Sequence, residues 1–252
     1  MTCDHSGDTI LRVTMGPSDA QLRYRSGFSG GQGTFNPGAN VEFRHSFYNE
    51  ADAWAQFFSN SCAAWRAIPP HQTDPGWEVN WWGHVGVFGH CTDPQSLHYY
   101  GRALDLARVE WSNGQFMDSN WSWQQGIANR RRYLAVAAML RRDFDTVITF
   151  GYDAAHEDHI HFDNGDLLHP IDDNFRSDGC IVQMACNYLN GASLTIDGNW
   201  GSSTENAFND LRSALGMNCF NIRGNLGHTR TFLLEIAYRA MKNDPASDTG
   251  WC

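Results

Sequence analysis

Apolar positions along the chain change period several times, and each change predicts an element. Ile10-Leu11-Arg12-Val13 reads as a short strand ahead of a glycine-rich loop from Gly27 to Gly33. Behind Asn49 as a cap, Trp54, Phe57, Phe58, Cys62 and Trp65 fall on one helical face, and Pro69-Pro70 ends that helix. Segments 84–91, 103–111 and 146–150 carry the β-branched, aromatic and aliphatic runs of strands. Between the last two, Tyr133, Val136, Ala137, Leu140 and Phe144 share one face of a helix, with Arg130, Arg131, Arg141 and Arg142 on the opposite, solvated face. The predicted fold is α+β, a small antiparallel sheet with flanking helices.

After Pro170 a polar connection over 172–179 leads to three further helical stripes. Ile181, Met184, Ala185, Tyr188 and Leu189 form the first; Ala207, Phe208, Leu211 and Leu215 the second; Phe232, Leu233, Ile236, Ala237 and Ala240 the third. They predict a compact C-terminal three-helix bundle over 178–243, distinct from a domain at 1–175 and followed by a tail at 244–252. In the turn at 197–201, Asp-Gly and Trp-Gly supply flexible backbone, and Ser202 or Ser203 is expected to cap the next helix.

With 252 residues the chain is long enough for two cores, and 42% hydrophobic residues against 18% charged is the balance of a folded protein. A net charge of −10 argues against nucleic acid and anionic membranes as partners, because neither phosphate surface attracts an acidic protein. No segment reaches membrane-spanning length, and the start of the chain lacks a basic, apolar leader. The expectation is a monomer that reaches its target without classical secretion, as phage lysis enzymes and injected effectors do, or after removal of a leader. Seven dispersed cysteines form no close metal-binding pair; Cys219 with Cys252 is the expected disulfide, tying down the C-terminal tail.

Chemistry concentrates in two stretches, 96–105 and 153–163. A catalytic zinc takes three imidazole or carboxylate ligands and keeps a fourth position for water, and His98, Asp105 and His161 meet that requirement. Asp158 and Glu157 are the carboxylates near enough to serve as general base, with Asp158 preferred. Strand periodicity puts His159, His161 and Asp163 on one face, so the strand should begin near His159 and leave Asp158 on the incoming turn. His159 would then neighbour the ion and donate to a developing oxyanion, and Asp163 would orient a ligand imidazole. Any one of the eleven histidines, His84, His90 and His169 among them, could instead be structural; the two stretches together carry the metal reading.

Ser96-x-His98-x-x-Gly101-x-Ala103-x-Asp105, followed by Asp158-x-x-His161 within His-x-His, resembles the D-Ala-D-Ala metallopeptidases of the lysostaphin, carboxypeptidase and hedgehog-like group. Gly-Arg-Ala-Leu-Asp-Leu at 101–106 and Asp153-Ala-Ala-His156 look most like its extensin-like C-terminal domain branch. The resemblance implies zinc on His98, Asp105 and His161, Asp158 as base and peptidoglycan stem or cross-bridge peptides as substrate. It also implies an upstream arginine, for which Arg66 is the candidate, while Ser96 and Tyr99 are expected near substrate. Gln183, Leu189-Asn190-Gly191, Leu194, Asp197-Gly198-Asn199-Trp200-Gly201, Thr204 and Ala207 resemble the three-helix peptidoglycan-binding domain, which makes Asp197 and Trp200 candidate wall contacts. Asn209-Asp210-Leu211-Arg212 after Phe208 departs from that pattern. The expected activity is hydrolysis of a murein amide bond in the periplasm or extracellular wall. A wall-binding protein with a purely structural zinc, or a metal hydrolase of another amide, are the alternatives.

Overall fold

The computed structural model describes the strand backbones within residues 9–45, residues 79–86, and residues 95–252 apart from 101, 102, 112, 164, 166, 167 and 249. The predicted helix at 54–65, the loop at 27–33 and Arg66 lie outside the described residues, as do the side chains of Tyr99 and Tyr100.

Among the described residues the strands are β1 (Thr9–Val13), β2 (Gln21–Arg25), β3 (Phe35–Asn36), β4 (Val41–His45), β5 (Val79–Gly86), β6 (Ala103–Trp111), β7 (Phe116–Asp118), β8 (Thr146–Ile148) and β9 (Ile160–Asp163). The helices are α1 (Ile127–Asp143), α2 (Arg176–Asn190), α3 (Ser202–Ala214) and α4 (Leu226–Lys242). The fold is α+β. Its centre is an antiparallel sheet in the order β5-β6-β9-β8, with β7 paired to β6; β2 extends the sheet by a parallel pairing with β5, and β1 pairs separately with β4. No helix among the described residues is long and apolar enough to cross a membrane.

The strand predicted over 103–111 is β6, residue for residue, whereas 146–150 is strand only to Ile148; of the strand predicted over 84–91, residues 84–86 lie in β5 and 87–91 are outside the described residues. Leu104, Leu106, Val147, Ile160 and Phe162 are buried in a single apolar cluster with Tyr133, Leu134, Ala137 and Leu140 of α1, and Phe144 meets Phe162 edge to face at 4.5 Å. That packing turns the alternate residues Asp105, His161 and Asp163 to the other side of the sheet.

The three predicted C-terminal stripes are buried along α2, α3 and α4, except Ala207, which is half-buried. The apolar cluster runs without a break from the sheet through α1 into these helices, because α4 packs along α1. With α2 and α4 both against α1, residues 133–141 are buried on every face, and the reading of Arg141 as solvated is corrected. Arg141 is 1% exposed; its guanidinium donates to Asp178 at 2.6 and 3.2 Å and to the backbone carbonyl of His169 at 3.1 Å. A charge can be buried there because its donors are satisfied.

The turn between α2 and α3 is organised from inside. Gln183 Oε1 accepts the N–H groups of Asp197 and Gly198, while its Nε2 donates to the Asn199 carbonyl and to Asp197 Oδ1. Gly198 has φ +73°, and a Cβ there would lie 2.3 Å from the Arg176 carbonyl oxygen, so only glycine fits. The expected serine cap is not formed: α3 starts after Gly201 without a side-chain cap bond, and Thr204 donates instead to the Asn199 carbonyl. Cys219 and Cys252 form a disulfide that fastens the C-terminal tail to the segment between α3 and α4.

Candidate metal centre

His98 lies on a short 3-10 turn, Leu97–Tyr100, just before β6. Asp105 and His161 face each other in register across β6 and β9. The antiparallel pairing therefore joins two ligands separated by 56 positions, and the turn swings His98 over them.

The donor atoms form a small triangle. His98 Nε2 is 3.0 Å from Asp105 Oδ1 and 3.0 Å from His161 Nδ1, and His161 Nδ1 is 3.2 Å from Asp105 Oδ1. An ion bound at about 2.0–2.1 Å in tetrahedral geometry separates its ligand atoms by about 3.3 Å, so the triangle has the right size. Among the described residues, these three side chains are the group whose ligand atoms all lie within 4.8 Å of one another.

A further contact decides what the triangle can hold. Asp163 Oδ2 lies 2.9 Å from His161 Nε2, so Nε2 carries the proton and a neutral His161 aims its Nδ1 lone pair at the Asp105 carboxylate. Two lone pairs at 3.2 Å repel unless a proton or a metal cation sits between them. Accordingly, although burial lowers the His161 pKa, hydrogen bonds to Asp105 and Asp163 raise it further, to about 9. For Asp105, burial raises the pKa, but hydrogen bonds from His161 and His98 outweigh it and hold the carboxyl far below the usual range. A half-buried carboxylate, two imidazoles and a second carboxylate that fixes the tautomer of one of them form a donor set that could hold a divalent metal.

His159 and Asp158 flank this triangle. β9 begins at Ile160 and Asp158 sits on a bend, as the periodicity requires. His159 Nδ1 lies 2.8 Å from Asp158 Oδ1, and His159 Nε2 is 3.5 Å from Asp105 Oδ1. His159 is thus the residue beside the cluster, and Asp158 stands one hydrogen bond behind it with a partly exposed carboxylate. No role was expected for His156, whose ring is 5.1 Å from that of His159 and 5.9 Å from that of His161. Asp153 accepts from the backbone N–H of Ala155 and His156 and lies 2.6 Å from His156 Nδ1, which fixes this third ring. The signal was present in Asp153-Ala-Ala-His156, where an Asx residue caps a short turn that ends in histidine.

Ser96 is half-buried in the bend before the 3-10 turn, and Tyr99 is within the turn. Asp197 and Trp200 do not join the cluster; they belong to the α2–α3 turn. Asp197 accepts from Asn199 N and Nδ2, and Trp200 Nε1 donates to Glu205 at 2.7 Å. Arg66 and Glu157 complete the set of candidates: Arg66 is outside the described residues, and the Glu157 carbonyl accepts Trp123 Nε1 at 3.0 Å.

Residues 86–169, about a third of the chain, match the family described as Extensin-like protein C-terminus. That span contains the three triangle residues together with Asp158, His159 and Asp163. No curated protein and no solved structure matches the chain.

Proposed function

We propose that the protein is a zinc-dependent peptidase that hydrolyses an amide bond in the stem or cross-link peptides of bacterial peptidoglycan. The observation that carries this reading is the triangle of His98, Asp105 and His161, with the His161 lone pair directed inward by Asp163. The resemblance of Ser96-x-His98 through Asp105, and of Asp158-x-x-His161, to D-Ala-D-Ala metallopeptidases supports the substrate class, as does the likeness of 183–207 to wall-binding bundles.

His98, Asp105 and His161 would hold the ion. When bound, zinc lowers the pKa of its water to about 7 and polarises the scissile carbonyl. The Asp158–His159 pair handles the protons: Asp158 orients the His159 ring, accepts the proton released by the attacking water and returns it to the leaving amine. With Nδ1–H given to Asp158, His159 would donate to the oxyanion from Nε2, facing the cluster, in its doubly protonated form. The Cys219–Cys252 disulfide suits a protein that works outside the reducing cytosol, where peptidoglycan lies.

The test is elemental analysis of purified protein together with mass spectrometry of murein incubated with it. About one zinc per chain, release of soluble peptides, and loss of release in folded His161→Ala and Asp158→Ala proteins are expected. Zinc-loaded protein that sediments with murein and releases nothing would make it a wall-binding protein instead.

A further inference from the structure

The candidate ligands and the groups beside them are carried by different parts of the chain. His98, Asp105 and His161 sit on the 3-10 turn, β6 and β9, whereas His156, Asp158 and His159 lie in the loop between β8 and β9, residues 149–159. Within that loop Tyr152 N–H donates to the Thr149 carbonyl, and Asp153 caps the turn that ends at His156. From outside, Tyr133 Oη of α1 accepts the Phe150 N–H at 3.3 Å, and Trp123 Nε1 donates to the Glu157 carbonyl at 3.0 Å.

The base of the loop rests on the C-terminal helices. Gly151 lies so close to the turn between α2 and α3 that a Cβ added to it would be 2.6 Å from both the carbonyl oxygen and Cγ2 of Ile196. Backbone that approaches this closely leaves room for glycine alone. Nor can the turn give way. Ile196 is half-buried against the apolar core, Gln183 Oε1 accepts the N–H groups of Asp197 and Gly198, and Arg176 Nε donates to the Asp197 carbonyl at 2.8 Å. A Cβ on Gly179 would lie 2.4 Å from the Gly198 carbonyl oxygen, so the turn is pressed onto α2 from its other side.

A second contact joins the same two segments. The Arg176 guanidinium lies 5.1 Å from the centre of the Tyr152 ring, and Tyr152 meets the His156 ring edge to face at 6.0 Å. His156 in turn lies against the ring of His159 at 5.1 Å. The path from the α2–α3 turn to the histidine beside the metal centre is therefore a chain of packed groups.

We infer that the α2–α3 turn seats the β8–β9 loop, with Gly151 as the positioning residue, so that the C-terminal helices set where His156 and His159 stand while the sheet and the 3-10 turn set the three ligands. The inference rests on the peptidase reading only for what His159 does; the seating stands without it. A Cβ at position 151 has to lift the loop off Ile196, because one obstacle is backbone and the other a branched carbon packed on the core. His156 and His159 would move with the loop, and the pairing of Asp105 with His161 across β6 and β9 would persist.

Gly151→Ala in the full-length protein, set beside Arg176→Ala and Arg176→Lys, tests this by imidazole ¹H–¹⁵N spectra, zinc affinity from chelator competition, and the kinetics of peptide release from murein. Gly151→Ala should shift the His156 and His159 signals, leave those of the distant His169 and His228 in place, and leave zinc affinity unchanged. Its kcat should fall about 100-fold with KM little altered, the usual cost of misplacing a catalytic group by about 1 Å. Arg176 is exposed, so Arg176→Ala should fold; it should move the same two signals by less, and Arg176→Lys, which keeps a cation over Tyr152, should restore most of the difference. Unmoved His156 and His159 signals in Gly151→Ala, or a shift of all histidines together with loss of zinc, would overturn the inference. Should Gly151→Ala not fold, Arg176→Ala decides on the same two signals. Local histidine shifts in a protein that releases no peptide would keep the seating and lose the peptidase reading. Peptide release at full rate with unmoved signals in both variants would do the reverse.

Discussion

Asp163 reaches His161 from two positions along the same strand, so the residue that sets the imidazole tautomer and the residue that uses it belong to one local segment of β9. A single register therefore places Asp105 opposite His161 and Asp163 beneath it. A slip of β9 by one residue would turn His161 and Asp163 to the apolar face and leave Asp105 without either.

Removing that buttress should weaken metal binding without unfolding the protein. Asp163→Ala is expected to lower zinc affinity about 10–100-fold, the usual effect of losing a carboxylate behind a ligand histidine. Competition with a chromophoric chelator measures it, and an unchanged circular dichroism spectrum shows that the fold persists.

Protons should compete with the ion. His161 is raised from 6.5 to about 9 in the metal-free protein, so its contribution to stability is fully present below about pH 6.5 and is lost as pH rises through about 9. In chelator, Tm should fall across that window. The stabilisation produced by added zinc should grow across it, because binding displaces the His161 proton more easily at higher pH. Thermal scans with and without zinc at half-unit pH steps check both trends. A metal-free Tm that rises from pH 6.5 to 9 would contradict the assignment.

The Arg141–Asp178 pair joins α1 to the first turn of α2, both side chains being 1% exposed. Arg141→Ala should destabilise the protein by about 3–5 kcal/mol, since it strands a buried carboxylate. Asp178 Oδ2 also accepts the Asp172 N–H, so the same substitution should loosen the connection ahead of α2. Urea unfolding monitored by both tryptophan fluorescence and circular dichroism gives the magnitude.

Thiol reactivity should divide the cysteines by environment. Cys180 and Cys186 are buried, and burial pushes both thiols up to about 12, so neither offers thiolate at neutral pH. After mild reduction, iodoacetamide at pH 8 should label Cys219 and Cys252 and spare Cys180 and Cys186 until denaturant is added. Peptide mapping reads the pattern.

The meeting of His98, Asp105 and His161 could be anticipated from the sequence because its information is local: two short motifs, each with the period of the element that carries it. Strand alternation alone gave the start of β9 and the displacement of Asp158 onto the bend. The burial of Arg141 could not be read in the same way, because it depends on Asp178 in the first turn of α2 and on the His169 carbonyl, partners 37 and 28 positions away. A helical stripe reports one partner; a helix with two partners hides its second interface among residues that look solvent-facing. The start of α3 escaped for a related reason. The polar groups of that turn are bonded by Gln183 from the preceding helix, so the serines beside it have no capping work left.

Because α1 is shared between the sheet and the C-terminal helices, those helices do not hang from the centre on a loose string. On the proposed function, anything the bundle bound would be held at a set distance and angle from His98, Asp105 and His161. Such a protein would work like a tool clamped in a jig: it would cut at a fixed offset from its hold and have to let go before it could cut again elsewhere.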